Sequence, residues 1–311
     1  MKVYVYDYPS HAGRWIYKGY QRAWQELGYE VIKIPIDQAA ATAVKNYDED
    51  YILMVTDSGI GLNDQKMIEK SYKTFIFVQP NSFPLPWGTH NNFQCHCPDE
   101  VIDMLNDLDN VFYWNFLGMP SNPDINFYKW KKEIHQVPTA YDSISYKNII
   151  NDDYIYDVCY VGGYADNGFN EKYKIMLKYF SEFRDSKLKI GIFINKNLTH
   201  EQENLVLCNS RVCLNIHDNY QRTLMTSDTN ERTFKSLGCN GIMVSDREGF
   251  IPQHFPHLPV CDSPEEMLEL TRNYLNMDSN KLKDIKNEYK KLILKEHTYV
   301  SRVKQMLNFE K

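Results

Sequence analysis

Residues 230–246 read NERTFKSLGCNGIMVSD. The first half predicts a short helix over 231–237, beginning near Asn230, and the second a strand over 241–245. Arg232 falls on the first turn of that helix, where the macrodipole makes a cation mildly unfavourable. That small penalty favours a functional reason for the arginine over a surface one. Glu231 and Lys235 stand one turn apart and can pair. A short helix feeding an apolar strand is one step of an alternating α/β pattern, and the pattern continues on both sides.

Upstream, a strand over 156–161 ends in Gly162-Gly163, a helix follows over 171–183, and strands follow over 188–194 and 212–216. Downstream, helices are predicted near 264–275, 279–296 and 299–307. The N-terminal half repeats the grammar. It has a strand over 2–8, a helix over 15–27 with Gly28 as its stop signal, and strands over 31–34, 51–56 (YILMVT) and 74–79 (TFIFVQ). The last two are almost wholly apolar, as a parallel sheet covered on both faces requires. Between 111 and 151 the pattern breaks, with Pro120, Pro123 and Pro138 set among aromatic and polar residues. This stretch predicts the end of one domain and the linker to the next. The expected organisation is two similar doubly wound α/β domains, 1–140 and 141–297, and a closing helix over 298–311.

A chain of 311 residues is long enough for two domains with cores of their own. The formal charge of −6 carries no basic footprint, so nucleic acid is not the default partner. The lysines of 281–295 are interleaved with Asp284 and Glu288 at helical spacing and read as a solvated helix face. No run of about 18 apolar residues occurs. The start, MKVYVYDYPSHAG, lacks the apolar centre of a signal peptide, so a cytoplasmic location is expected. The cysteines stand at 95, 97, 159, 208, 213, 239 and 261, an odd count set mostly in apolar runs, which reads as buried reduced thiols. Cys95-His96-Cys97 has no second ligand pair at zinc-like spacing, so no metal is expected there.

From Asp157 to about Leu307 the chain resembles the CgeB/YkvP-like glycosyltransferase family and, more distantly, the large retaining group of GT-B glycosyltransferases. The resemblance is carried by DVxYVGG (157–163), LNIH (214–217), NxRTFxxLGCxG (230–241) running into IMVSD, and HTYxxR (297–302). The third of these is the most specific. The resemblance implies the GT-B architecture, two Rossmann-like domains facing a cleft, with the acceptor on the N-terminal side and the donor nucleotide on the C-terminal side. It implies a metal-independent hexosyl- or pentosyltransferase with no cofactor, using a nucleotide diphosphate sugar, a UDP-sugar before others, as co-substrate. The acceptor stays open among envelope glycan, protein and a modified DNA base. Phage enzymes that glucosylate hydroxymethylated cytosine share the fold and a similar RxxE segment. A non-catalytic nucleotide-sugar or glycan-binding module is the alternative from another class. Inversion or retention is not decided.

The resemblance also implies roles for residues. Gly162 and Gly163 would let backbone N–H groups approach a diphosphate at the start of a helix. Arg232 would face the donor phosphates and neutralise charge as the bond from sugar to phosphate breaks, with Asn230 and Thr233 beside it in the donor-binding set. Asn215 and His217 lie at a strand end, which in such sheets faces the ligand crevice. His217 is open between contacting phosphate or sugar and capping a loop. Lys235 departs from the family, which usually has a glutamate there accepting hydrogen bonds from the ribose hydroxyls. An ammonium has no acceptor. Either ribose is held differently, with Glu231 as the candidate acceptor, or Lys235 reaches phosphate, or donor use has changed or been lost. In the N-terminal half, His11, Gly13 and Arg14 are expected in the loop after the first strand, with Gly13 assigned to the donor side. Asp57 ends the YILMVT strand and is the carboxylate expected to act as base in an inverting reaction. His90, after the Pro-rich loop SFPLPWGTH, is the third catalytic candidate with Asp57 and Arg232.

Overall fold

The computed structural model describes residues 1–8, 11–35, 44, 50–89, 93–117, 122–147, 155–165, 170–224 and 227–310. The chain divides into two compact units. The first comprises Met1–Pro138 together with Tyr299–Lys311, and the second Thr139–Thr298. The helix expected to close the chain is thus part of the first unit.

The first unit contains β1 (Lys2–Asp7), α1 (His11–Glu26), β2 (Glu30–Pro35), β3 (Tyr51–Thr56), α2 (Gln65–Lys70), β4 (Lys73–Phe77), α3 (Asp99–Asp107), β5 (Val111–Asn115) and β6 (Ile134–Gln136). Its strands form one sheet in the order β2-β1-β3-β4-β5-β6, every neighbouring pair parallel. All six residues of β3 are buried, as the unbroken apolar run requires. Helix α1 places Tyr20, Ala23 and Trp24 in the core, three and four residues apart on one face. It begins at His11, earlier than its apolar pattern, so Gly13 and Arg14 are helical and not in a loop. A Cβ on Gly13 would lie 3.0 Å from the Tyr8 ring, so the glycine lets this early first turn sit against the end of β1.

The expected break at 111 is also corrected. Val111–Asn115 is a fully buried strand paired with β4. Its FYW triplet serves as core, and Trp114 packs edge-on to Tyr20 and Phe77 at 5.5 and 4.9 Å.

The second unit contains β7 (Tyr156–Gly162), α4 (Lys172–Phe183), β8 (Ile190–Ile194), α5 (His200–Cys208), β9 (Ser210–Asn215), α6 (Asn219–Thr223), α7 (Glu231–Cys239), β10 (Met243–Asp246), α8 (Phe250–His254), β11 (Val260–Cys261), α9 (Pro264–Leu275) and α10 (Ser279–Glu296). The last helix, α11 (Tyr299–Leu307), returns to the first unit, where the Tyr299 ring meets Tyr20 at 4.9 Å and Arg302 Nε donates to Pro138 O at 3.0 Å. The second sheet is parallel throughout, in the order β11-β10-β9-β7-β8.

Side chains alternate across this sheet and build two cores. Cys159, Val161, Cys213 and Met243 pack with Phe234 and Leu237 of α7, Leu207 of α5 and Ile293 of α10. Val158, Tyr160, Val212, Leu214 and Val244 pack with Met176 and Phe183 of α4 and Met267 of α9. All seven cysteines are free thiols.

Counted from its own first strand, the second sheet has the order 2-1-3-4-5, and the first has the same order with a sixth strand added after the fifth. In doubly wound sheets the ligand crevice opens at the carboxyl ends of the strands where the order reverses, between the first and third. Those ends are Asp7 and Thr56 in one unit, Gly162 and Asn215 in the other.

Candidate functional site

The second unit's crevice is organised by α7. Asn230 caps this helix, its Oδ1 accepting from Thr233 N at 3.2 Å. The helix ends at Gly241, with φ +82°, where a Cβ would also lie 2.5 Å from the carbonyl oxygen of Lys286 on α10. Left-handed backbone and tight helix packing both demand glycine. With both ends fixed, the first turn of α7 meets the carboxyl ends of β7 and β9.

Arg232 bridges those two ends. Its Nε donates to Val161 O at 2.7 Å, and its Nη1 donates to Ile216 O and Asn215 Oδ1, both at 3.1 Å. The guanidinium lies 4.5 Å from the Tyr160 ring centroid. Arg232 is 8% exposed. Among the described residues it has no carboxylate ion pair, and Nη2 makes no hydrogen bond. Among the described residues, Asn230 Nδ2 is likewise a buried donor with no partner. Two donors at one helix start are therefore unused, one of them on a buried cation.

The glycines of the β7 turn make room for side chains. A Cβ on Gly162 would lie 2.0 Å from Arg232 Nη2, and one on Gly163 would lie 2.1 Å from Asn195 Oδ1. Gly162 thus lets the unpaired guanidinium nitrogen lie against the turn that leads to α4. At the start of α4, Lys172 is 3% exposed and its Nζ meets Asp218 Oδ2 at 2.9 Å, while Asn170 Nδ2 donates to Asp218 Oδ1 at 2.9 Å. Burial pushes the Asp218 carboxyl up, but Lys172, Asn170 and Arg232 together hold it below the ordinary carboxylate value.

His217 is fully buried. Its Nδ1 lies 2.7 Å from Asp246 Oδ1 and its Nε2 lies 2.9 Å from Thr229 Oγ1, so both ring nitrogens have protein partners. Lys235 is 9% exposed, and its Nζ donates to Glu203 Oε1 at 2.8 Å and stands 3.6 Å from Glu231 Oε2. Tyr146 donates to the other oxygen of Glu203. Burial opposes both charges of the central pair. Even so, Lys235 and Tyr146 hold the Glu203 carboxyl below its ordinary value, and the two glutamates hold the Lys235 ammonium above its own. The Glu231 pairing anticipated from i, i+4 spacing is present, but the principal partner comes from α5.

In the first unit, Asp57 directly follows β3 and is 3% exposed. Its Oδ2 accepts from Gln79 N at 2.9 Å. Burial pushes its carboxyl above the ordinary value, while the Gln79 N–H, the Cys95 thiol and the Ser58 N–H pull it back. Gly13 lies on α1 beside Tyr8. His90 lies outside the described residues.

The structure thus gathers Gly162, Asn215, His217, Asn230, Arg232 and Thr233 around one helix start, with Gly163 on the adjoining turn. It sets Lys235 in a separate ionic cluster on the same helix. Lys172, Asp218, Glu203 and Asp246 were missed from the sequence, since their partners stand 29 to 46 residues away. Among the described residues no group of three His, Cys, Asp or Glu side chains could hold a metal ion.

Residues 162–308, just under half of the chain, match the family described as glycosyl transferase-like. No curated protein matches the chain. Solved structures do. T4 phage BGT in complex with UDP and Mn²⁺ has 14% identity and a TM-score of 0.53, over 99% of this chain and 100% of that one. An S. aureus TarM mutant in complex with fondaparinux, alpha-GlcNAc-glycerol and UDP has 12% identity and a TM-score of 0.50, over 86% of this chain and 56% of that one. The N-terminal domain of Candida albicans trehalose-6-phosphate phosphatase has 8% identity and a TM-score of 0.53, over 98% and 95%. With two parallel doubly wound sheets, a glycosyl transferase-like match over 162–308 and these structural neighbours, the chain has the GT-B fold of glycosyltransferases.

Proposed function

We propose that the protein transfers a hexosyl or pentosyl unit from a nucleotide diphosphate sugar, a UDP-sugar first, to a hydroxyl acceptor in the cytoplasm, and that it is a CgeB/YkvP-like enzyme. The observation that carries this reading is the Arg232 guanidinium, buried, held by two strand ends, and with Nη2 unpaired among the described residues. A buried cation is costly without an anion, and a diphosphate at the start of α7 supplies one. UDP in complex with two of the neighbouring structures fits that chemistry.

As the bond from C1 of the sugar to the diphosphate oxygen breaks, negative charge grows on the leaving group. Arg232 Nη2 and Asn230 Nδ2 stabilise that charge, with Gly162 and Gly163 leaving space beside them. Lys172 is paired with Asp218 and holds the start of α4 beside them, not the leaving group. Asn215, Thr233 and His217 support the arginine from behind. Asp57 takes the proton from the acceptor hydroxyl as it attacks C1, and His90 is retained as a candidate on that side. The Arg232 guanidinium does the work that a divalent cation would otherwise do, so turnover is expected to survive EDTA.

The test is a thermal-shift and donor-hydrolysis panel of UDP-, GDP-, dTDP- and CMP-sugars. A UDP-sugar is expected to raise the Tm and to release UDP. Stabilisation by none of them, with no hydrolysis, overturns the reading and leaves the non-catalytic binding module that Lys235 suggests. A modified DNA base as acceptor is the second reading, since the chain shares its fold with a phage protein, T4 phage BGT, over 99% of this chain and 100% of that one. Sugar transfer to hydroxymethylated DNA, against none to unmodified DNA, decides for that acceptor.

A further inference from the structure

Behind Arg232 the side chains form one continuous hydrogen-bond chain, and its direction can be worked out from the donors each group owns. Arg232 is a donor only, so the atom of Asn215 facing Nη1 must be Oδ1. That leaves Asn215 Nδ2 to donate to Thr233 Oγ1 at 2.9 Å. Thr233 Oγ1 therefore has its own proton for Thr229 Oγ1, 2.7 Å away. Thr229 in turn directs its proton to His217 Nε2 at 2.9 Å. Asn215 Nδ2 also stands 3.4 Å from that nitrogen and has only hydrogens to offer it. Nε2 is then an acceptor, and the ring proton lies on Nδ1, 2.7 Å from Asp246 Oδ1. Asp246 is fixed as well, accepting from His217 N at 3.0 and 3.1 Å.

We propose that His217 is a positioning residue for Arg232. As its Nδ1–H form it ends a one-way chain running Arg232→Asn215→Thr233→Thr229→His217→Asp246, which fixes the guanidinium so that Nη2 is presented to the donor diphosphate. This rests on reading Arg232 as the diphosphate ligand. A cation at one end and a carboxylate at the other polarise every link in the same sense, which strengthens each. All six residues are buried, so a link that fails leaves groups that water does not replace.

Two measurements test it. The first is ¹⁵N–¹H correlation of the histidine rings in the wild-type protein. His217 is expected to show a protonated Nδ1 and an unprotonated Nε2, and a proton on Nε2 overturns the chain. The second is titration with UDP and with uridine. Thr229→Val keeps the side-chain shape and removes the relay, so UDP affinity is expected to fall about tenfold while uridine affinity holds. Thr229→Ser restores the hydroxyl and is expected to bind UDP within about twofold of wild type. UDP binding by wild type that Thr229→Val leaves unchanged overturns the positioning role alone. Failure of the wild type to bind UDP overturns the donor reading, and the presenting role with it. If Thr229→Val does not fold, the ring tautomer of the wild type still decides.

Discussion

The two sheets share a strand order and place opposite charges at the same point in it. At the carboxyl end of the third strand, one unit has Asp57 and the other Arg232. Both ions are buried and both rest on backbone. Asp57 accepts from the N–H of Gln79, while Arg232 donates to the carbonyls of Val161 and Ile216. Strand ends and the loops after them offer unpaired groups of either kind, so topology chooses the place and the side chain chooses the sign. Lys235, one turn from Arg232, is the contrast, since Glu203 and Glu231 neutralise it. An ion resting on backbone keeps its charge for a ligand. An ion paired with counter-charges does not.

The hardest test of that contrast is Lys235→Glu. It would set a third carboxylate between Glu203 and Glu231, and the expected loss of stability is at least about 3–5 kcal/mol, read by denaturant unfolding. A variant as stable as wild type would show that the counter-charges are not what holds this cluster. Next is Arg232→Ala, for which kcat/KM with a UDP-sugar is expected to fall about 100- to 1,000-fold. Arg232→Lys is expected to fare little better, because an ammonium cannot reach both strand ends and still present a donor. At the acidic point, Asp57→Asn is expected to lower kcat about a hundredfold with UDP affinity unchanged by calorimetry. A loss of UDP affinity instead would break the division of labour between the two points.

The smallest effect sharpens the comparison through a third acid. Asp228 precedes α7 and accepts from Gln221 Nε2 at 2.8 Å. Burial first, and Glu248 second, push its carboxyl up to about 7. Because the folded value stands above the unfolded one, its stabilising contribution is complete below the ordinary carboxylate value and is lost as pH rises through about 7. Asp228→Asn removes the buried charge and leaves an acceptor for Gln221. Its Tm is expected to exceed wild type by about 2–4 °C at pH 8, with the gain vanishing near pH 4. A gain that persists at the acid end would mean that the charge is not its cause.

How much of this could be read in advance follows from the range of the interactions. The strands β1, β3, β4, β7, β9 and β10 announce themselves as apolar runs, because a sheet covered on both faces leaves no polar positions. β5 was obscured by the proline-bearing stretch that follows it, and β6 and β11, of three and two residues, are too short to carry a period. Arg232 was legible because its cue is local, a cation at a helix start. The Lys172–Asp218 and Lys235–Glu203 pairs were not, since each joins segments that only the folded sheet brings together. His217 was left between two readings. Its partners, Asp246 and Thr229, lie 29 and 12 residues away, and without them an imidazole at a strand end is ambiguous.

The Lys235–Glu203 pair bears on how chains of this kind are compared. Glu203 lies on α5 and has few neighbours in sequence to mark it. Yet a glutamate restored at position 235 would meet the acid at 203 head-on, so the two substitutions are not independent. A related chain with glutamate at 235 is expected to carry a neutral or basic residue at 203, and one with an acid at 203 to carry a base at 235. The two positions then form a single two-letter character, and sorting such sequences by position 235 alone would group chains whose ionic wiring is different.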